Sequence, residues 1–322
     1  MQRLGPWRRR ATLWAYSGHR KARKSNRWRR KLETIERAPA DTGSTASADP
    51  TDIATAKASG AIARARLAFA VERWPGSSGA TLYGATLGVF LALLRAGDPA
   101  VATELHDGTA RKRFALSPLR ITPLAGNMAR AEVVVALWDQ QLLTTLGRGV
   151  NAALDATLEV AGHPAHLLDS EVSEPASFAT LLTAPADGQT LLWARFTTPT
   201  VFSWGRGVDG RHRYGLLPAP EHVVGSWLRA WNAGSGPETP FQEDAEWLRE
   251  RIRIQAIRSL RTAQAHTGKT PMSGFVGEVA YEWCGATPGG HRALRALGSF
   301  ARYCGTGAKT AYGLGQTETW TA

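Results

Sequence analysis

Near its C-terminus the chain reads Gly305-Thr306-Gly307-Ala308-Lys309-Thr310-Ala311-Tyr312-Gly313-Leu314-Gly315, two Gly-x-Gly pairs separated by five residues. Glycine takes positive φ and lets backbone N–H groups approach a phosphate, so this pattern suits contact with a phosphodiester or a closely packed turn. A dinucleotide fingerprint needs strand, glycines, then helix. Here a helical pattern precedes the glycines and a strand pattern follows, which excludes a Rossmann site. Gly268-Lys269-Thr270 resembles the end of a phosphate-binding loop, but the position that needs the first glycine holds Ala263. Histidine carries protons near neutral pH, and there are eight. His106 stands out: it closes the run Asp98–His106, and Lys112, a cation, lies six residues on. His163 and His166, with Asp169 and Glu171 nearby, offer too few convergent ligands for a metal. His212 sits in the basic run Arg211-His212-Arg213, where it either touches phosphate or is simply solvated. His19, His222, His266 and His291 belong to no constellation. Cys284 and Cys304 make no metal-ligand spacing and give no sign of an oxidising compartment.

The elements that must position these residues follow from periodicity. Ala61–Val71 alternates as a strand does. Gly79–Ala96 carries Leu82, Leu87, Phe90, Leu91 and Leu94 at helical spacing, and Pro99–Leu105 is a second helical piece. Arg113–Ile121 and Ala129–Trp138 read as strands. Asp139 caps a helix to Leu154, and Thr157–Ala161 opens another strand. The second half repeats the order: strand Thr190–Thr198, helix Pro220–Trp231 stopped by Gly234, strands Arg251–Gln264 and Met272–Trp283, helix Gly290–Tyr303, and a last strand Thr310–Trp320. Two βαββαβ units in tandem, an α+β ferredoxin-like (RRM-like) architecture, describe this order. The units span residues 61–185 and 186–322. Trp227 and Trp231, four apart on one helix, are core residues.

Net charge is +12, unevenly placed. Residues 1–37 hold 13 Lys/Arg and two acids; the remaining 285 hold 26 bases and 25 acids. The basicity belongs to the N-terminal extension, residues 1–60, which reads as an arm and a Pro/Ala/Ser/Thr-rich linker with Trp7, Trp14, Tyr16 and Trp28 among its charges. Such an arm either grips nucleic acid or has no folded role. In the body, Arg251 and Arg253 share a strand face opposite Ile252 and Ile254. Arg258 and Arg261 extend the charge, and Arg302 and Lys309 add it beside the glycines. They read as a phosphate-binding surface or as ordinary solvated cations. No apolar run reaches the roughly 20 residues that a membrane helix requires, and no secretory signal is evident, so a cytoplasmic location is expected.

The glycine-rich segment, following a helix with Phe300 and Tyr303, resembles the C-terminal signature of the CRISPR-associated repeat endoribonucleases, family six of the RAMP superfamily. Further motifs in the same order carry that resemblance: Phe114–Leu119, Phe196–Phe202, Leu217–Pro220 running to Asn232, and Gly274–Gly277. It covers about Arg64 to Glu318. It implies a metal-independent endoribonuclease without cofactor that cuts CRISPR precursor RNA within each repeat, leaving 2′,3′-cyclic phosphate and 5′-hydroxyl ends. Repeat RNA is the implied partner, along with other CRISPR-associated subunits, in a monomer or homodimer. The resemblance implies that His106 is the general acid/base and that Lys112 stabilises developing negative charge. Some family members add a tyrosine on the first helix. Leu87–Leu91 has none, and Tyr83, one turn away, either substitutes or packs. Gly305, Gly307, Lys309, Gly313 and Gly315, with the arginines, are the implied RNA contacts. The alternative is a non-catalytic RAMP subunit that holds guide RNA, which would not need the His106/Lys112 pair.

Overall fold

The computed structural model describes residues 61–75, 79–107, 112–183, 191–234, 250–267, 271–285 and 288–322. The N-terminal extension and the expected boundary near residue 185 lie outside them.

In β1 (Ala61–Val71), Ala63, Ala65, Leu67, Phe69 and Val71 face a buried core, while Arg64 and Arg66 point to the other side. That alternation is the two-residue period of a half-buried strand. After the short β2 (Ala80–Leu82) come α1 (Ala85–Gly97) and α2 (Pro99–Asp107). Helix therefore begins at Ala85 rather than at Gly79, because Ala80–Leu82 of the expected helix pair with Leu119–Ile121 as an edge strand. Strands β3 (Phe114–Leu116), β4 (Leu119–Pro123) and β5 (Ala129–Leu137) follow. The strand expected over Arg113–Ile121 is split at Ser117-Pro118, where Ser117 Oγ accepts from Val134 N at 2.8 Å and fills the gap in the ladder. Helix α3 (Gln140–Ala153) starts at Asp139, whose carboxylate accepts from Leu142 N at 3.0 Å, as a cap should. β6 (Leu158–Val160), β7 (His163–Ser177) and α4 (Phe178–Thr183) complete this half. Its sheet is antiparallel in the order β2-β4-β5-β1-β7-β6, with β3 also on β5. Strands β7-β1-β5-β4 with α1 and α3 form a ferredoxin-like unit.

The second half contains β8 (Leu191–Thr200), the hairpin β9 (Phe202–Arg206) and β10 (His212–Gly215), and α5 (Pro220–Gly234). Then come β11 (Ile252–His266), β12 (Pro271–Trp283), α6 (Pro288–Cys304) and β13 (Thr317–Thr321). The sheet order β11-β12-β8-β13 repeats the ferredoxin-like arrangement. The last strand starts at Thr317, not Thr310: Thr310–Tyr312 is a turn of 3-10 helix bounded by left-handed Lys309 and Gly313, which turns the chain away from the extended course of a strand. The β9–β10 hairpin, absent from the expected order, forms its own two-stranded sheet.

Trp227 and Trp231 are fully buried, as expected. The second core is not self-contained. Trp138 and Phe178, from the first half, pack on Phe300 with ring centroids 5.5 and 5.4 Å apart, and Trp231 meets the same ring at 5.4 Å. Burying such aromatic surface stabilises by about 25 cal/mol per Å², so Phe300 ties the two halves together.

Candidate active site and nucleic-acid interface

The glycine-rich loop is built by backbone conformation. Gly305, Gly307, Gly313 and Gly315 all have φ between 65° and 89°, and Lys309 has φ 60°. Thr306 N donates to Gly315 O at 2.7 Å and closes the loop, and Ala308 N donates to Val201 O at 2.7 Å, fixing it to the end of β8. Below it runs a chain of buried groups: Trp227 Nε1 donates to Thr306 Oγ1 at 2.7 Å, and Thr306 Oγ1 meets Thr317 Oγ1 at 2.6 Å. A Cβ added at Gly313 would stand 2.7 Å from Pro118 N, so here the loop presses on the first half. Gln316 Nε2 donates to Leu116 O at 3.0 Å across the same junction. Gly305, Gly313 and Gly315 are buried, and the exposed residue of the loop is Lys309. Of the two expectations for this segment, contact or tight turn, its geometry is that of the tight turn with one cation held outward.

Beside the loop lies a cleft of about 300 Å³ lined by Lys112, Trp138, Ser226, Gly305, Gly307, Lys309, Thr310 and Tyr312. It joins the two halves: Lys112 precedes β3, Ser226 is on α5, and Lys309 and Thr310 belong to the loop. The Lys112 ammonium stands 5.9 Å from the Phe114 ring centroid and that of Lys309 5.5 Å from the Tyr312 ring. Two lysines, a threonine and no carboxylate among the described lining residues give this cleft a lining suited to an anion, while the Ser226 hydroxyl is committed to Val223 O at 2.9 Å. Nothing in the sequence around Ser226 signals its place here. It arrives through the α5–loop packing, where its Oγ accepts from Gly307 N at 3.2 Å.

His106 lies in the last turn of α2 and is exposed. That helix is positioned by Asp98, whose carboxylate accepts from Ala100 N at 3.0 Å. Residues 108–111, between His106 and Lys112, lie outside the described set. Tyr83, half-buried just before α1, packs in a small cluster with Val201, Tyr214, Leu314 and Tyr312. Tyr312 also lines the cleft. Burial pushes the Tyr83 phenol above its ordinary range, and the Arg120 guanidinium opposes that. Lys112 and Lys309 thus share one cleft, Tyr83 belongs to a cluster that abuts it through Tyr312, and His106 lines neither.

The arginines are dispersed. Arg251, Arg253, Arg258 and Arg261 are exposed along β11 and its start. Ile252 is buried and Arg253 turned outward, as alternation requires. Arg253 is bound to Glu282 at 2.9 Å, and Arg258 lies 4.1 Å over the Trp193 ring. A register break separates Arg258 from Arg261 at Ser259, whose φ is 51°. Arg302 lines a second groove of about 230 Å³ with Arg64, Arg66 and Arg120 on the first sheet. These cations form separate surfaces rather than one stripe.

The family model for the CRISPR-associated endoribonuclease Cas6 matches residues 194–317, from within β8 through the hairpin and the glycine-rich loop to the start of β13. Among solved structures, a product complex of Cas6 (TTHB231), a Thermus thermophilus protein, aligns with TM-score 0.67 and 27% identity, covering 81% of this chain and 100% of that one. A product complex of Cas6 (TTHA0078) aligns with TM-score 0.61 and 27% identity over 81% of this chain and 99% of that one. A RAMP protein described as binding different RNA substrates shares the fold at 11% identity and TM-score 0.52, over 80% of this chain and 99% of that one. No curated protein matches the sequence. The tandem ferredoxin-like units, the loop that seals them and the matched segment agree in one likeness: the chain is similar to the Cas6 family of CRISPR-associated endoribonucleases.

Proposed function

We propose that this protein cuts CRISPR precursor RNA within its repeats by a metal-independent transesterification. The observation that carries the reading is the cleft in which Lys112 of one half and Lys309 of the other line a single anion site, in a chain similar to Cas6 proteins bound to their products. The 2′-oxygen of one nucleotide attacks the adjacent phosphorus. The bond from phosphorus to the 5′-oxygen breaks. The proton lost from the 2′-hydroxyl goes to a base, and another is delivered to the departing 5′-oxygen. No water is consumed, and the ends are a 2′,3′-cyclic phosphate and a 5′-hydroxyl.

His106 moves protons in this scheme, since an imidazole can both take and give one near neutral pH. Lys112 places positive charge where the crowded phosphorane gains negative charge. Tyr83, with its phenol raised by burial, stays protonated and acts as a donor rather than a base. Lys309, held outward by its loop, takes a neighbouring phosphate. The cleft lies at the junction of both halves, so the RNA must bridge them to be cut.

The test is incubation of the purified full chain with its own repeat RNA in EDTA. Cleavage at one position, with a cyclic phosphate end, is the expected result. Binding without cleavage would instead make it a guide-holding RAMP subunit, and cleavage only after a divalent metal is restored would reject the metal-independent route.

A further inference from the structure

The β9–β10 hairpin takes no part in the scheme above, yet its surface is unusual. Trp204 is 58% exposed, one of the few large apolar side chains left in solvent among the described residues. Its ring is braced: a Cβ at Gly215 would fall 2.5 Å from Trp204 Cζ2, so only glycine leaves room for the indole against the opposing strand. The ring centroid of His222, on α5, stands 5.8 Å away. A flat aromatic held from behind and open in front is a stacking platform.

The charge around it has one sign in excess. The hairpin that carries the ring also carries Arg206, Arg211, His212 and Arg213, all exposed, against one acid, Asp209. Arg206 Nη1 donates to Gly210 O at 2.8 Å, which fixes that guanidinium on the turn. Among the described residues none of these three arginines is in an ion pair, unlike Arg253 or Arg195 on the neighbouring sheet. Interleaved arginine and exposed tryptophan is the composition that holds unpaired nucleotides, the cations on phosphates and the ring on a base.

The position is continuous with the cleft. The hairpin leaves β8 at Val201, whose carbonyl accepts from Ala308 N in the glycine-rich loop. At its other end Tyr214 packs in the cluster that includes Ala308 and Tyr312. The hairpin is thus joined to the loop of Lys309 at both of its ends.

We propose that this hairpin is a second RNA-holding element, in which Trp204 stacks on one unpaired base beside the cut site and Arg206, Arg211 and Arg213 hold the flanking phosphates. This rests on the RNA-cutting reading but is measured separately from it. The experiment compares wild type, Trp204→Ala and Trp204→Phe by fluorescence anisotropy on the labelled repeat RNA and on a fully paired RNA duplex. It adds single-turnover cleavage at saturating protein. Trp204→Ala weakens binding of the repeat by about 5- to 100-fold, the range for loss of one base–aromatic stack. The phenyl variant recovers most of that loss, the duplex is bound equally by all three, and the saturated cleavage rate is unchanged. Unaltered melting curves exclude misfolding. Wild-type affinity in Trp204→Ala, a loss equal on the duplex, or a loss that phenylalanine does not recover overturns the proposal, the first of these pointing to a protein partner for this face. A wild type that binds but does not cut would reject the nuclease reading and leave the stacking result intact.

Discussion

The indole N–H of Trp227 donates to Thr306 Oγ1 from beneath the glycine-rich loop, at 2.7 Å and out of contact with solvent. Through Thr306 and Thr317 this bond reaches Gly315 O, which accepts from Thr317 Oγ1 at 2.9 Å. Helix α5 therefore sets the height of the loop above the second core. Trp227→Phe keeps an aromatic ring but removes the donor and part of the buried volume, leaving a buried hydroxyl short of a partner. The expected cost is about 1–3 kcal/mol of stability, read by urea unfolding, together with weaker repeat RNA binding as Lys309 loses its fixed position.

Substitutions at His106, Lys112 and Lys309 should separate chemistry from holding. His106→Ala should slow single-turnover cleavage by about 10²- to 10⁴-fold, and Lys112→Ala by about 10²- to 10³-fold, both with near wild-type RNA affinity. Lys309→Ala should instead weaken binding and reduce the slope of log affinity against log salt by about 1. Wild-type cleavage by His106→Ala would remove it from the mechanism.

Gly313 is the point where loop meets first half, with φ 89° and no room for a Cβ beside Pro118. Gly313→Ala should cost about 1–2 kcal/mol from the left-handed backbone alone, and more from displacing Pro118. Differential scanning calorimetry should show a lower Tm. Gly126, also at positive φ but with open space around it, provides the control in which only the backbone cost appears.

Tyr281 gives a pH signature. Its hydroxyl donates to Pro218 O at 2.8 Å, and complete burial holds the phenol well above its ordinary range. Below about pH 10 the tyrosine is protonated in both folded and unfolded chains and contributes no pH dependence. Above that, the unfolded chain releases the proton and the folded one does not, so stability falls as pH rises. Unfolding free energies from about pH 8 to about pH 11 should decline more steeply in wild type than in Tyr281→Phe, which starts about 1 kcal/mol lower for loss of the bond.

Much of the fold is legible in the sequence because short-range physics decides it. The alternation of β1, the Asp139 cap and the apolar faces of α1 and α5 each express a local rule. The departures arise where distant groups intervene. Ser117 replaces a ladder bond through its side chain, so one strand becomes two without any apolar interruption. The final strand starts late because Lys309 and Gly313 turn left-handed to fit against β8 and Pro118. The hairpin did carry a signal, Asp209-Gly210 between two extended runs, but its aromatics and arginines do not alternate by face. Of the site, the loop and its lysine stand out from composition. Ser226 and Thr310 do not, since their place in the cleft is created by packing between segments far apart in the chain.

Phe300 receives Trp138 and Phe178 from the other half of the chain. The two units share one topology, but this shared ring makes them mutually dependent for solvent exclusion. A fragment ending before β8 would expose two aromatic side chains, and one beginning there would open a void around Phe300. The repeat visible in element order is thus no longer divisible in folding: each half completes the other, and the cleft between them exists only in the intact chain.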